Sequence, residues 1–237
     1  MMMVRTKSMG PRSWTVCAVM MMASCARQTG PSLETQAPRA HGHGPLVHRF
    51  ENAERWAREF DDPARDAWQQ PQAIVEAMDL RAGMTVADVG AGTGYFVPWL
   101  SRAVGESGTV LAVDVEPDMV RYLHARSERE RLGNVRPVLA EFSDPKLPAA
   151  GVDRVLIVDA WHHIPERARY AETLRACLKP GGRVFVVDFK LDATHGPPPK
   201  HRVAPEQVVR ELEQGGLAAE LGRTNLPEQY VVIGALR

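Results

Sequence analysis

The feature that most constrains the fold of this chain is a regular alternation of short apolar runs with amphipathic stretches after residue 84. Five runs rich in Val, Leu and Ile have the length and composition of strands buried on both faces, namely 85–89, 109–113, 135–139, 154–158 and 183–187. Stretches with apolar residues at helical spacing, over 95–104, 117–132 and 165–178, separate most of them. This alternation predicts a doubly wound, mostly parallel sheet with helices on both faces.

Shorter elements are predicted on both sides of these five strands. They are helices that begin near residues 50, 63 and 71, a helix over 205–214, and strands over 218–222 and 229–235. The predicted fold is therefore an α/β, Rossmann-like sheet of seven strands with additional N-terminal helices, in one domain over residues 46–237.

The first 24 residues have a different character. They contain Arg5, Lys7 and Arg12 but no acid, and an apolar run over 14–23 follows. That run is shorter than the roughly 20 residues that a membrane-spanning helix needs, so it is typical of a secretory signal peptide over 1–24. Residues 25–45 are rich in Pro and Gly and poor in aliphatic side chains, which predicts a flexible tether.

The signal peptide ends in Met-Ala-Ser-Cys over residues 22–25, which resembles the lipobox of bacterial lipoproteins. The resemblance implies that Cys25 is acylated and that the domain is lipid-anchored in the bacterial cell envelope, facing the periplasm. Translation from Met20, Met21 or Met22 would instead leave the protein in the cytoplasm, and both alternatives stay open.

Composition excludes several classes of protein. Lys and Arg total 29, as do Asp and Glu, so a zero net charge gives no electrostatic support for a nucleic-acid partner. Three cysteines are too few for a disulfide framework. His41, His43 and His48 have no Cys or carboxylate partners nearby, and no metal site is predicted.

A glycine-rich loop follows the first strand, in the sequence Val-Ala-Asp-Val-Gly-Ala-Gly-Thr-Gly over residues 86–94. Gly90, Gly92 and Gly94 permit a tight turn and close approach of a ligand to the backbone. The G-x-G-x-G spacing differs from the G-x-G-x-x-G of dinucleotide-binding loops, and Asp88 precedes the first glycine by two positions. A carboxylate there would repel a pyrophosphate but would favour an ammonium or sulfonium group.

Acidic residues end four successive predicted strands, at Asp88, Asp114, Glu141 and Asp159. Ligands of doubly wound sheets bind outside the carboxyl ends of the strands, and an acid at the end of the second strand can accept both ribose hydroxyls. Four acids on this edge indicate a ligand with positive charge and several hydrogen-bond donors.

With these motifs the sequence resembles the class I S-adenosylmethionine-dependent methyltransferases, in particular the type 11 group that includes enzymes of ubiquinone and menaquinone biosynthesis. The resemblance covers residues 71–190 and is carried by VADVGAGTGYF, LAVDVEPDM, VLAEFSDPKLP, VDRVLIVDAWHHI and LKPGGRVFVVDF. It implies the strand order 3-2-1-4-5-7-6 with the last strand antiparallel, and S-adenosylmethionine as the cofactor.

The resemblance also implies roles for individual residues. Gly90, Gly92 and Gly94 would shape the loop on the methionine side, where Asp88 would hold the amino end and Asp159 would lie nearby. Asp114 would bind the ribose, and Glu141 would meet the adenine amino group with Phe142 beside the ring. Each of the three acids Asp88, Glu141 and Asp159 also has a local interpretation, as a turn or helix cap or as a solvated loop charge.

The methyl acceptor is expected to be a small molecule, and its contacts should come from outside the shared core. The candidates are Trp56, Phe60, Asp61, Arg65 and Trp68 in the N-terminal helices, and His201 and Arg202 in the loop over 190–203. A general base, if the acceptor needs one, would be His162 or His163, although local packing explains this pair equally well. The sequence does not indicate an oligomeric state.

Two other functions remain open at this point. One is a membrane-tethered protein that binds the cofactor or keeps the fold without turnover, because S-adenosylmethionine is made in the cytoplasm and an anchored Cys25 would place the domain outside it. The other is a NAD-dependent oxidoreductase, which Asp88 and the glycine spacing disfavour.

Overall fold

The computed structural model of the protein describes residues 50–236, and seven strands form one sheet in this part of the chain. They are β1 (Thr85–Val89), β2 (Thr109–Asp114), β3 (Val135–Leu139), β4 (Val152–Val158), β5 (Leu178–Phe189), β6 (Leu217–Leu221) and β7 (Gln229–Leu236). The order is β3-β2-β1-β4-β5-β7-β6. The first five strands are parallel, and β7 is antiparallel to both neighbours. The predicted fold class and strand order are confirmed.

Seven α-helices accompany the sheet in residues 50–236. They are α1 (Ala53–Phe60), α2 (Asp66–Gln69), α3 (Pro71–Ala77), α4 (Val97–Val104), α5 (Pro117–Arg129), α6 (Arg167–Cys177) and α7 (Pro205–Gln214). Short 3-10 turns occupy Pro63–Arg65, Trp161–His163 and Pro199–His201. Over the same part of the chain, no helix combines the length and the apolar character that crossing a bilayer requires.

The apolar core lies on both faces of the sheet, as β4 illustrates. Val155 and Ile157 belong to a buried cluster that includes side chains of α6 and α7. Leu156 and Val158 belong to a second cluster, with side chains of α3, α4 and α5. Because consecutive side chains of a strand point to opposite faces, the apolar run over residues 155–158 at the carboxyl end of β4 is buried on both sides.

The largest difference from the predicted boundaries is at the start of β5. This strand begins at Leu178 rather than residue 183, because Leu178 pairs with Val152 before an irregularity in the register, after which Arg154 pairs with Arg183. The intervening Lys-Pro-Gly-Gly is typical of a turn, so the sequence pattern concealed the extension. The predicted leader, tether, Cys25 and the N-terminal histidines lie outside the described residues.

Candidate active site

The glycine loop after β1 has the backbone geometry for which glycine is required. Gly90, Gly92 and Gly94 have φ angles of 77°, 55° and 89°. A Cβ atom on Gly90 would lie 2.6 Å from the Cβ of Ala160, and one on Gly94 would lie 2.8 Å from a methyl carbon of Leu123. The backbone of the loop therefore packs directly against the segment after β4 and against α5. A side chain at Gly90 or Gly94 would push these segments away from the loop.

Asp88 is a buried carboxylate beside this loop. It is 3% exposed, and no residue in the described part of the chain donates a hydrogen bond to it. Burial raises the pKa of Asp88 to about 7, the negative charge of Asp114 adds to the rise, and the charge of Arg65 opposes it. A buried acid of this kind is suited to a cationic ligand, which would stabilise its charged form.

Asp114, at the end of β2, is held in place by backbone amides. Its Oδ2 accepts a hydrogen bond of 2.8 Å from Gly92 N–H, and its Oδ1 accepts one of 2.9 Å from Glu116 N–H. Burial raises the pKa of Asp114, and these N–H groups act in the opposite direction. Each carboxylate oxygen keeps a lone pair free for a further donor, such as a ribose hydroxyl.

Glu141 and Phe142 lie just beyond β3, next to the end of β2, where Ala140 N–H donates to the Asp114 carbonyl at 2.9 Å. Glu141 is exposed and its Oε1 is 2.9 Å from Lys146 Nζ. Phe142 is 41% exposed. Both are on the expected edge of the sheet, and their contact with an adenine ring stays a prediction.

Asp159 differs from Asp88 because protein donors already engage it. It follows β4 with a φ of 54°, and it accepts hydrogen bonds from Gln229 Nε2 and, at 3.2 Å, from Arg65 Nη2. Burial raises the pKa of Asp159 to about 7, and Arg65 opposes that rise.

Arg65, Gln69, Gln229 and Asp159 form a closed ring of hydrogen bonds. Gln69 Nε2 donates to Gln229 Oε1 at 2.5 Å, and Arg65 Nε and Nη2 donate to Gln69 Oε1 at 3.1 and 2.9 Å. Both glutamines are fully buried. This ring joins the N-terminal helices to the carboxyl end of β4 and to the start of β7. Gln69 and Gln229 were not among the predicted site residues.

The segment that includes α1 and α2, residues 53–69, covers the glycine loop. Phe60 is the side chain that a Cβ on Gly92 would meet, at 3.6 Å. Asp61 Oδ1 accepts hydrogen bonds of 3.0 Å from both Thr93 Oγ1 and Arg126 Nη1. The guanidinium of Arg65 lies 4.2 Å from the centre of the Tyr95 ring. Phe60, Asp61 and Arg65 were predicted to contact the acceptor, and the structure places them against the loop.

His162 is paired with Asp188, a fully buried residue in β5 that was not predicted as part of the site. The Nδ1 atom of His162 is 3.0 Å from both carboxylate oxygens of Asp188. The ring of His163 is 4.2 Å from that of His162 and 6.0 Å from that of Phe50. The available sequence signal for Asp188 was a charged residue inside the apolar run Val-Val-Asp-Phe.

The predicted substrate residues have different surroundings. Trp68 stacks on His195 at 5.1 Å and lies 5.8 Å from the Phe189 ring. His201 ends the Pro199–His201 turn and is half-buried. Arg202 donates hydrogen bonds to the backbone carbonyls of Lys190, Leu191, Ala193, His195 and Pro197. Arg202 thus shapes its own loop, and its contact with a substrate stays a prediction.

Comparisons with known proteins agree with this geometry. A family described as "Methyltransferase domain" matches residues 86–182. A solved S-adenosylmethionine-dependent methyltransferase from Aquifex aeolicus is 30% identical, with a TM-score of 0.72 over 78% of this chain and 99% of that one.

Two curated relatives are similar over the central region. The protein-L-isoaspartate O-methyltransferase of Methanothrix thermoacetophila is 33% identical over 48% of this chain and 51% of its own length. The ubiquinone/menaquinone biosynthesis C-methyltransferase UbiE of Azotobacter vinelandii is 33% identical over 48% of this chain and 46% of its own length. The chain therefore spans about half the length of these curated relatives, and their acceptors are not transferred to it.

Proposed function

The chain belongs to the S-adenosylmethionine-dependent methyltransferases, and we propose that it transfers the methyl group to a small-molecule acceptor by in-line displacement. The observation that carries this proposal is the buried carboxylate of Asp88 beside the glycine loop, which has no protein donor in the described residues. The Asp88 carboxylate suits the ammonium of the methionine moiety, and the oriented Asp114 carboxylate suits the ribose.

The remaining residues of the site act by orientation and by exclusion of water. When bound, S-adenosylmethionine supplies a methyl group on a positively charged sulfur, which is a leaving group that needs no further activation. The protein therefore has to align the acceptor and keep the reacting atoms dry. The segment over 53–69, fixed to the glycine loop through Asp61 and to Asp159 through Arg65, is placed to exclude water from this edge of the sheet.

Calorimetry with S-adenosylhomocysteine tests both cofactor binding and the proposed contact between Asp88 and the ligand's ammonium group. We expect one bound ligand per chain, and no comparable heat with NAD. Because the Asp88 pKa is about 7 in the protein, an ammonium group that lowers it should release protons at pH 7. The apparent enthalpy should then change with the ionisation enthalpy of the buffer.

The variant Asp88→Asn should bind at least about tenfold more weakly and should lose most of the buffer dependence. Asp79→Asn is the matched control, since Asp79 is an exposed acid paired with Arg81. A folded wild-type protein that binds NAD but not S-adenosylhomocysteine would contradict the proposal.

We also propose, from the sequence alone, that the protein is exported and anchored through an acylated Cys25. Mass spectrometry of the protein from its native membrane fraction tests this. A mature N-terminus at Cys25 with acyl chains is the expected result, whereas an intact leader or a start at one of Met20–22 would contradict it.

A further inference from the structure

We propose that Asp188 is a positioning residue that directs the lone pair of His162 Nε2 toward the methyl acceptor. It follows that the acceptor reacts through a group that must lose a proton, either a hydroxyl or an acidic carbon. This inference rests on the proposed methyltransferase function and adds to it the class of acceptor and the fate of the acceptor's proton.

The geometry of the pair is that of an oriented base. Asp188 is fully buried, and its two oxygens lie 3.0 Å from His162 Nδ1. Phe189 N–H donates to Asp188 Oδ1 at 2.8 Å, and His162 N–H is 3.3 Å from Asp188 Oδ2. The carboxylate is therefore fixed by backbone as well as by the ring, and it imposes one orientation on the imidazole.

This contact determines which ring nitrogen carries the proton. A carboxylate accepts hydrogen bonds, so the neutral imidazole keeps its proton on Nδ1 and leaves the lone pair on Nε2. No residue in the described part of the chain forms a hydrogen bond with His162 Nε2. The side chain of His162 is 5% exposed, so Nε2 is a nearly buried acceptor without a donor in residues 50–236, which distinguishes it from a histidine that is satisfied on both sides.

The pair also lies next to the glycine loop. His162 follows Ala160 by two residues, and the Ala160 methyl is the group that a Cβ on Gly90 would strike. The strand register produces this arrangement, because Val158 pairs with Val187 and the residues just beyond them meet at the carboxyl edge. Asp159 is close enough that the charges of Asp188 and His162 both affect its pKa.

In the proposed step, the electron pair of the acceptor's O–H or C–H bond would form the new bond to the methyl carbon, and the carbon–sulfur bond would break with its electrons going to sulfur. The acceptor proton passes to His162 Nε2, the Asp188 carboxylate stabilises the imidazolium, and water later takes the proton. A neutral amine needs no base before it attacks. The Asp188–His162 pair would therefore accelerate transfer to hydroxyl and carbon acceptors rather than to amines.

Nitrogen-15 NMR of the full-length protein labelled at histidine tests the orientation without any turnover. At pH values where the ring is neutral, we expect His162, assigned through His162→Gln, to be the Nδ1–H tautomer. The isosteric variant Asp188→Asn should lose that tautomer, because its amide can donate to Nδ1. The control His163→Gln should keep it. An Nε2–H tautomer in the wild type overturns the inference, even if Asp188→Asn fails to fold.

Transfer from methyl-labelled S-adenosylmethionine tests the acceptor class, with a panel of phenols and β-dicarbonyl compounds against a panel of primary amines. We expect transfer to the first panel, with kcat lowered about a hundredfold or more in Asp188→Asn and the KM for the donor within about twofold. Transfer confined to the amines, or to no compound of the first panel, overturns the acceptor class. Failure of the folded wild-type protein to bind S-adenosylhomocysteine would instead contradict the proposed function.

Discussion

At the scale of single residues, burial moves the pKa of Asp88 into the neutral range, so its charge changes near pH 7. Its pKa in the folded protein is about 7, compared with about 4 for an ordinary aspartate, so folding favours the protonated form. This contribution to stability is full below about pH 4 and is lost as the pH rises through about 7. Above that range the charged carboxylate is a cost to the folded state when no ligand is bound.

Asp88→Asn should remove this cost. We expect the free energy of unfolding at pH 8 to rise by about 1–3 kcal/mol relative to wild type, and the difference to shrink or reverse at pH 4. Urea unfolding at both pH values measures it, with Asp79→Asn as the exposed control. Equal effects of Asp88→Asn at pH 4 and pH 8 would contradict the assignment of the raised pKa.

Gly90 offers a second residue-scale prediction. Its φ of 77° disfavours any side chain, and a new Cβ would lie 2.6 Å from the Ala160 Cβ. Gly90→Ala should therefore lower the free energy of unfolding by about 2–4 kcal/mol and weaken S-adenosylhomocysteine binding. Gly133→Ala is the matched control, since a Cβ there would meet no atom within 4 Å. Urea unfolding and calorimetry compare the two, and similar losses in both would refute the steric explanation.

At the scale of elements, the strands were more predictable than the contacts of the N-terminal helices. Residues 155–158 of β4 are all apolar because both faces of the sheet are covered there, so composition alone locates this part of the strand. Gln69 and Gln229, by contrast, are 160 residues apart and meet only in the folded chain. A polar residue that becomes fully buried leaves no periodic signal, and the ring they form with Arg65 and Asp159 was therefore not predicted.

Arg65 links the N-terminal helices to this ring. Removing its side chain should therefore make these helices less stable. In Arg65→Ala the Asp159 carboxylate keeps its burial but loses a partner at 3.2 Å. We expect the free energy of unfolding to fall by about 2–4 kcal/mol and amide exchange to accelerate in residues 60–70 and 159–163. Arg81→Ala removes an exposed ion pair and should cost less than about 1 kcal/mol. Unchanged exchange over 60–70 in Arg65→Ala would show that the ring does not hold these helices.

At the scale of the whole molecule, the register of the parallel strands brings the site together. Val89 pairs with Val113, so the glycine loop begins beside Asp114. Val158 pairs with Val187, so Asp159 and Asp188 come together on the neighbouring strands. The sequence predicted the acids Asp88, Asp114 and Asp159, because each lies at or just beyond the carboxyl end of an apolar run, but it did not single out Asp188. It could not predict that Asp188 would pair with His162, since that depends on the path of the 3-10 turn after β4.

The same arrangement predicts that residues 46–237 suffice for binding. Within residues 50–236, the two buried clusters draw their buried residues from 74–232, and the hydrogen bonds that order the glycine loop and the neighbouring acids begin at Asp61. A chain that starts at residue 46 should therefore unfold in one transition, with a midpoint within a few degrees of the full-length protein. Saturation with S-adenosylhomocysteine at about 100 times its Kd should stabilise both by about 2.7 kcal/mol. Thermal unfolding of the two chains, with and without the ligand, is the measurement. A lower midpoint or a smaller ligand effect in the shorter chain would show that residues 1–45 contribute to the folded domain.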